Sequence, residues 1–441
     1  MLKRYDAAYL WDGETLYPDG SLVIDETAGR IVDAGDRARL LRDYGPLPAI
    51  GWSHHLVMPG TVNLHAHSFQ HLVRGRGVDQ PFLAWRDDAL YRISPRLDPE
   101  AVYLGAALAF MDMLKSGITT VADFFYVHGD GLDNDRAVIQ AARDTGIRLV
   151  FARTFYDWDG APAAYRESIE DAVSRTRRLA AEVQGDPRVT VHPAPHSLHG
   201  ASDAMIQAAV RLAEELDTPF HIHVAEEPFE VDEVRARTGL TPVAQLAHLG
   251  ALSERTIAVH LVWLTPDDIT RLGDAGASWA YCPSSNMFLA DGIAPWTGLR
   301  QAGVPAGLGT DGGCSNNRSS IFEEMRMAAL LHKVANLDAT RVDWRTVLDM
   351  GTRAGADILR LPAGRIAPGR LADFIAVDLT HVSLTPWTPD TLMANLVYAM
   401  QPDAVTHVVV GGRPVVEAGR WLTLSWSSLQ ADVTRWVRQW S

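Results

Sequence analysis

Cysteine, lysine, positive charge and long apolar runs are what this 441-residue chain has least of. Only Cys282 and Cys314 are present, too few for a secreted disulfide framework and too far apart for a CxxC pair, so the chain reads as cytoplasmic. No stretch of about 18 apolar residues exists to cross a bilayer, and Met1-Leu2-Lys3-Arg4-Tyr5-Asp6 lacks the apolar core of a signal peptide. Lys and Arg number 40 against 54 Asp and Glu, a formal charge of -14 and the wrong sign for nucleic acid or an anionic membrane as main partner. A small-molecule partner remains. Lysine is reduced to Lys3, Lys115 and Lys333, which excludes one kind of metal centre below.

Histidine, by contrast, recurs in a pattern. The run Val62-Asn63-Leu64-His65-Ala66-His67, straight after Met58-Pro59-Gly60, ends in alternate histidines, and a period of two puts both imidazoles on one side of a strand. Three later apolar runs each close on a further group: His223 after Pro219-Phe220-His221-Ile222, His260 after Thr256-Ile257-Ala258-Val259, and Asp311 after Gly307-Leu308-Gly309-Thr310. Any one of these could be a satisfied core residue; their recurrence points to a mononuclear metal site. Imidazole nitrogens with one carboxylate suit a borderline divalent ion, zinc first and ferrous iron second, and too few thiolates exist for a structural cysteine site. Such a centre is catalytic and open.

Between residues 58 and 363 short apolar runs alternate with longer amphipathic stretches. Strand ends are expected near His65, Asp123, Ala152, Pro193, Val224, His260, Cys282 and Asp311, with helices over Ala101 to Ser116, Ala161 to Glu182, Ser202 to Leu216 and Pro266 to Gly276. This alternation predicts an α/β fold, a (β/α)8 TIM-like barrel whose chemistry lies at the C-terminal strand ends, where the candidate ligands fall. Residues 1–57 and 364–441 read as alternating strands with turn punctuation such as Trp11-Asp12-Gly13 and Gly411-Gly412, predicting one small β-sandwich domain built from both termini. Leu429, Val433, Trp436 and Trp440 at helical spacing predict a docked C-terminal helix over Ser427 to Trp440.

The ordered set Pro59-Gly60 through His65-Ala66-His67, His221-Ile222-His223-Val224-Ala225-Glu226, Ala258-Val259-His260, Cys282-Pro283-Ser284-Ser285-Asn286, Gly309-Thr310-Asp311-Gly312, Ser315-Asn316-Asn317 and Pro368-Gly369-Arg370-Leu371-Ala372-Asp373 resembles the amidohydrolase superfamily. Within it, the chain resembles the deaminase and chlorohydrolase branch that includes guanine deaminase, methylthioadenosine or adenosylhomocysteine deaminase and the triazine hydrolases. The resemblance spans almost the whole chain and implies one divalent metal held by His65, His67, His223 and Asp311. It also implies which histidine of His221-Ile222-His223 is the ligand, a choice periodicity leaves open. Members that bridge two metals with a carboxylated lysine are excluded, because no lysine lies between Lys115 and Lys333.

The implied chemistry is attack by a metal-bound hydroxide on a C=N carbon with release of ammonia. Asp311 would serve as ligand and proton acceptor, and Glu226 as proton donor to a ring nitrogen. His260 would orient the nucleophile or stabilise developing charge, with a further ligand role as its alternative. Gln70, Trp85, Arg86, Tyr126 and His196, in loops after the strands, are the candidate substrate contacts. For Arg86 the alternative is a solvated helix face, and for Trp85 and Tyr126 ordinary packing.

The expected substrate is an aminated heterocycle or cyclic amidine. The first half also resembles formimidoylglutamate deiminase, in His65-Ala66-His67-Ser68-Phe69-Gln70, Trp85-Arg86 with Tyr91-Arg92, and Pro195-His196-Ser197-Leu198. Where that family continues with an arginine this chain has His199, so a second carboxylate clamp is missing. A triazine-type hydrolase expelling chloride or an amine, a ring-opening lactonase or cyclic amidase, and a non-catalytic scaffold are further alternatives; the scaffold would have lost a ligand or the proton shuttle, and none is lost. A homodimer would suit the aromatic C-terminal helix, although the same residues could cover the β domain.

Overall fold

The computed structural model describes residues 1–439; Trp440, expected at the end of the terminal helix, lies outside the described residues. The apolar runs form strands β1 (Thr61–His67), β2 (Ile118–Phe125), β3 (Arg148–Phe155), β4 (Val189–Pro195), β5 (Phe220–Val224), β6 (Thr256–His260), β7 (Ser278–Tyr281), β8 (Ala306–Leu308) and β9 (Asp311–Gly312). They pair in parallel in two sheets, one of five strands ordered β9-β1-β2-β3-β4 and one of four ordered β5-β6-β7-β8. A parallel bridge between Ser197 and His223 links the end of the first sheet to β5. Every residue of β1, β2, β3 and β5 is buried, as parallel strands covered on both faces require.

The intervening helices are set by their caps. Asp98, Ser168 and Ser202 side chains accept backbone N–H groups at the starts of α1 (Pro99–Lys115), α2 (Ile169–Glu182) and α3 (Asp203–Leu216). Thr265 and Asp268 form a capping box on α4 (Pro266–Ala275), which Gly276 closes in the left-handed conformation.

Three boundaries differ from expectation. β3 continues past Ala152 to Phe155 because Arg153, a charge that would ordinarily end a strand, is neutralised inside by Glu167 and Asp135. The helix expected from Ala161 begins only at Ile169, after a short 3-10 turn at Ala163–Tyr165 and the cap at Ser168. The eighth strand stops at Leu308, and Asp311 instead pairs with β1 as part of β9.

Both termini contribute to a single nine-stranded sheet, with Ala49–Pro59 between Leu2–Trp11 and Phe374–Asp378. The terminal helix runs Trp426–Arg438 and buries Leu429 and Trp436. Among the described residues no helix is long and apolar enough to cross a membrane.

Candidate active site

Short-range packing brings the strand ends together. A Cβ on Gly60 would lie 2.2 Å from the Thr119 side chain, and one on Gly309 would lie 2.9 Å from Cys282 Sγ and from His65, so only glycine lets the chain entering β1 pass β2 and the chain leaving β8 pass His65 and Cys282. Asn63 of β1 staples the next turn: its Nδ2 donates to Thr310 Oγ1 at 2.7 Å and its Oδ1 accepts from Thr310 N at 3.0 Å. Asp311 follows directly. His260 and Asp311 take positive φ values of 72° and 57°, an uncommon conformation for side chains of their kind and one that collects at functional sites.

His65 Nε2 and His67 Nε2 stand 3.3 and 3.2 Å from Asp311 Oδ1, and His223 Nε2 stands 3.2 Å from His65 Nε2. The Nδ1–H groups of His67 and His223 donate to the carbonyls of Phe124 (2.6 Å) and His196 (2.9 Å), which leaves each Nε2 lone pair directed into the group. Burial holds His223 well below the usual histidine range and His65 near 4. One proton on His65 Nε2 could satisfy one of these contacts; the others would set lone pair against lone pair. A cation removes the conflict, and the 3.2–3.3 Å separations match the edge of about 3.3 Å expected for a tetrahedron with bonds of about 2.0 Å. The donor set fits a divalent cation.

Burial pushes the Asp311 carboxyl up, but its close contacts with the His65 and His67 rings outweigh it and hold it well below the usual range. Its Oδ2 accepts from the hydroxyls of Ser285 and Ser315, the latter at 2.8 Å. Glu226 is shifted the other way, well above the usual carboxyl range, by burial and then by Asp291, Asp311 and neighbouring glutamates. Its Oε1 lies 3.2 Å from His260 Nε2.

A cleft opens onto these groups and is lined by Gln70, Trp85, Arg86, Tyr126 and His196, all five expected contacts, together with His67, His223, Glu226, His260 and Asp311. Their states differ. Gln70 is engaged at both ends of its amide, donating to Tyr126 Oη at 3.1 Å and accepting from Cys314 Sγ at 3.2 Å. Trp85 is anchored through its indole N–H on the Cys314 carbonyl at 2.9 Å. Arg86 stacks on Tyr91 with 4.5 Å to the ring centroid and donates to Asp87 at 2.8 Å. Arg92 points outward to Asp88 and is no part of the wall.

Tyr156, Tyr165 and His199 also line the cleft and escaped the sequence reading as site residues. Tyr156 follows the true end of β3 by one residue, so the strand-end rule finds it once the strand is extended past Arg153. Tyr165 sits in the turn that was expected to be helix. His199 carried a signal, being the position where an arginine was looked for.

A family model described as Amidohydrolase family matches residues 56–415. The 5-methylthioadenosine/S-adenosylhomocysteine deaminase of Pelotomaculum thermopropionicum is 34% identical over 421 residues, covering 95% of this chain and 94% of that protein. The 5'-deoxyadenosine deaminase of Methanothermobacter thermautotrophicus is 35% identical over 366 residues, 82% of each chain. Among solved structures, a zinc-bound adenosine deaminase from Xanthomonas campestris superposes with a TM-score of 0.92 at 29% identity, over 99% of this chain and 98% of that one. The zinc-complexed atrazine chlorohydrolase of Arthrobacter aurescens, at 24% identity and a TM-score of 0.90 over 99% and 100%, shares the fold. With a family model matched over residues 56–415 and relatives of about a third identity over most of its length, the chain belongs to the amidohydrolase family.

Proposed function

We propose that the protein is a metal-dependent aminohydrolase that removes ammonia from the amidine carbon of an aminated heterocycle, with adenine nucleosides modified at the 5' position as first candidates. The relatives named for such substrates support that choice. The observation that carries the reading is the juxtaposition, at one aromatic cleft, of the His65, His67, His223 and Asp311 donor group with the buried Glu226 carboxyl, which its surroundings push well above the usual range.

His65, His67, His223 and Asp311 would hold one ion per chain, zinc before iron. The ion, when bound, supplies an activated water at neutral pH. Glu226 gives its proton to the ring nitrogen next to the attacked carbon, a role that its raised pKa suits. Asp311 takes up a proton at Oδ2, and the Ser285 and Ser315 hydroxyls, which both donate and accept, turn to follow it. Trp85, Tyr126 and His196 flank a flat ring, Gln70 stiffens Tyr126, and Arg86 sits where it can meet a polar substituent. We also infer that the two parallel sheets close into a (β/α)8 barrel over residues 58–363. Residues 1–57 and 364–441 would then form the separate β domain, its sheet folding as a sandwich; the Ser197–His223 bridge and the β9–β1 pairing support closure.

The position of Arg86 in the cleft keeps formimidoyl amino acids as a second reading, with one cation for a carboxylate in place of two. Ammonia release by the zinc-loaded protein across 5'-deoxyadenosine, methylthioadenosine, guanine, aminotriazines, creatinine-like amidines and formimidoylglutamate tests both. Release from an aminopurine nucleoside is expected. Release from formimidoylglutamate alone would transfer the assignment to the second reading, and silence with metal bound would refute both.

A further inference from the structure

Beside the metal-ligand group, Glu226, His260 and Asp291 form a second buried cluster with ligand-type atoms within 4.8 Å of one another. Asp291 is fully buried in the turn after the helix Pro283–Phe288. Its Oδ2 accepts from Asn286 Nδ2 at 2.9 Å, and the same amide nitrogen stands 3.0 Å from His260 Nδ1. On the far side of the ring, His260 Nε2 lies 3.2 Å from Glu226 Oε1.

We propose that Asn286, oriented by Asp291, is a positioning residue that fixes His260 with its proton on Nε2 and so decides which oxygen of Glu226 carries the proton to be donated. An amide NH2 has two hydrogens and no lone pair to offer. With Asp291 Oδ2 accepting one hydrogen, the second hydrogen goes to His260 Nδ1. That nitrogen must therefore present its lone pair. A ring that accepts at Nδ1 carries its proton at Nε2, and this N–H meets Glu226 Oε1. Oε1 is an acceptor in that contact, so the transferable proton resides on Oε2. His260 is then a hydrogen-bond donor, neither a fifth ligand nor a base, and the cluster is no second cation site. The use of the proton rests on the aminohydrolase reading above; the tautomer does not.

Two-bond ¹⁵N–¹H correlation spectra of zinc-loaded, ¹⁵N-histidine-labelled protein read the tautomer without substrate, the His260 signals being assigned by their loss in His260→Gln. The expected proton position is Nε2 in the wild type and Nδ1 in Asn286→Asp, where a carboxylate replaces the donor. That variant should lose about tenfold or more in kcat toward 5'-deoxyadenosine with KM within about twofold. Asp291→Asn, whose amide oxygen can still accept from Asn286, should keep the Nε2 proton. A proton on Nδ1 in the wild type overturns the proposal, as does an unchanged tautomer in Asn286→Asp or a second zinc ion that Asp291→Asn releases. The wild-type spectrum decides alone if Asn286→Asp does not fold. Inactivity on every amine substrate with Nε2 protonated would refute the aminohydrolase reading and leave this assignment standing.

Discussion

Glu226 is three residues beyond His223, close enough in sequence to share its strand end and far enough to leave the ligand shell. Burial, then Asp291, Asp311 and neighbouring glutamates, push its carboxyl well above the usual range, and His260 contacts one of its oxygens. Replacing it with glutamine preserves size and hydrogen bonding and removes the transferable proton. We expect Glu226→Gln to retain its metal by elemental analysis and to lose about 10²–10⁴-fold in kcat. Full activity in that variant would remove Glu226 from the mechanism. The sequence placed His65, His67, His260 and Asp311 at strand ends by periodicity, whereas the choice of His223 over His221 and the part given to Glu226 came from the family resemblance. Asn286 and Asp291 were not legible there, since each acts through a neighbour whose distance no local pattern encodes.

Elements were readable where hydrophobic periodicity sets them and misread where a buried charge interrupts it. Arg153 is the plainest case: a guanidinium with no exposure inside β3, paired with Glu167 at 2.7 Å and Asp135 at 3.0 Å. Glu167 also accepts from Arg175 at 2.7 Å. Burial would raise the Glu167 carboxyl, but His128, Arg153 and Arg175 outweigh it and hold it at about 2. A depressed carboxyl stabilises the fold fully above its unfolded value and loses that stabilisation as pH falls toward its folded one. The contribution, about 3 kcal/mol at most, should therefore be present at pH 6 and fade between pH 4.5 and 2. Denaturant melts at pH 6 and pH 3 check this, and Glu167→Gln should show a smaller drop between the two pH values; an equal drop would contradict it. The same pairing lets β3 run on to present Tyr156 to the cleft, which links this ion network to substrate binding.

At the scale of the molecule, the Pro368-to-Asp373 motif ties the terminal sheet to the parallel one. Arg148 at the start of β3 grips Asp373 through Nε and Nη2, at 2.7 and 3.0 Å, and Asp373 Oδ1 also accepts from Gly411 N. Both side chains are almost fully buried. Asp373→Ala leaves a guanidinium without its partner and should cost about 3–5 kcal/mol, read as a lower Tm at fixed scan rate, with metal affinity unchanged. Loss of metal in that variant with no change in Tm would place Asp373 in the site instead. The motif's role was invisible in the sequence because its partner stands 225 residues away.

The central claim is that catalysis depends on a divalent ion held by His65, His67, His223 and Asp311. Titrating zinc into metal-stripped protein while following ammonia release from 5'-deoxyadenosine tests it most directly. Activity should rise linearly to one zinc per chain and be absent, with no zinc retained, in Asp311→Ala. Ammonia release that survives chelation, or that persists in Asp311→Ala, would contradict the account.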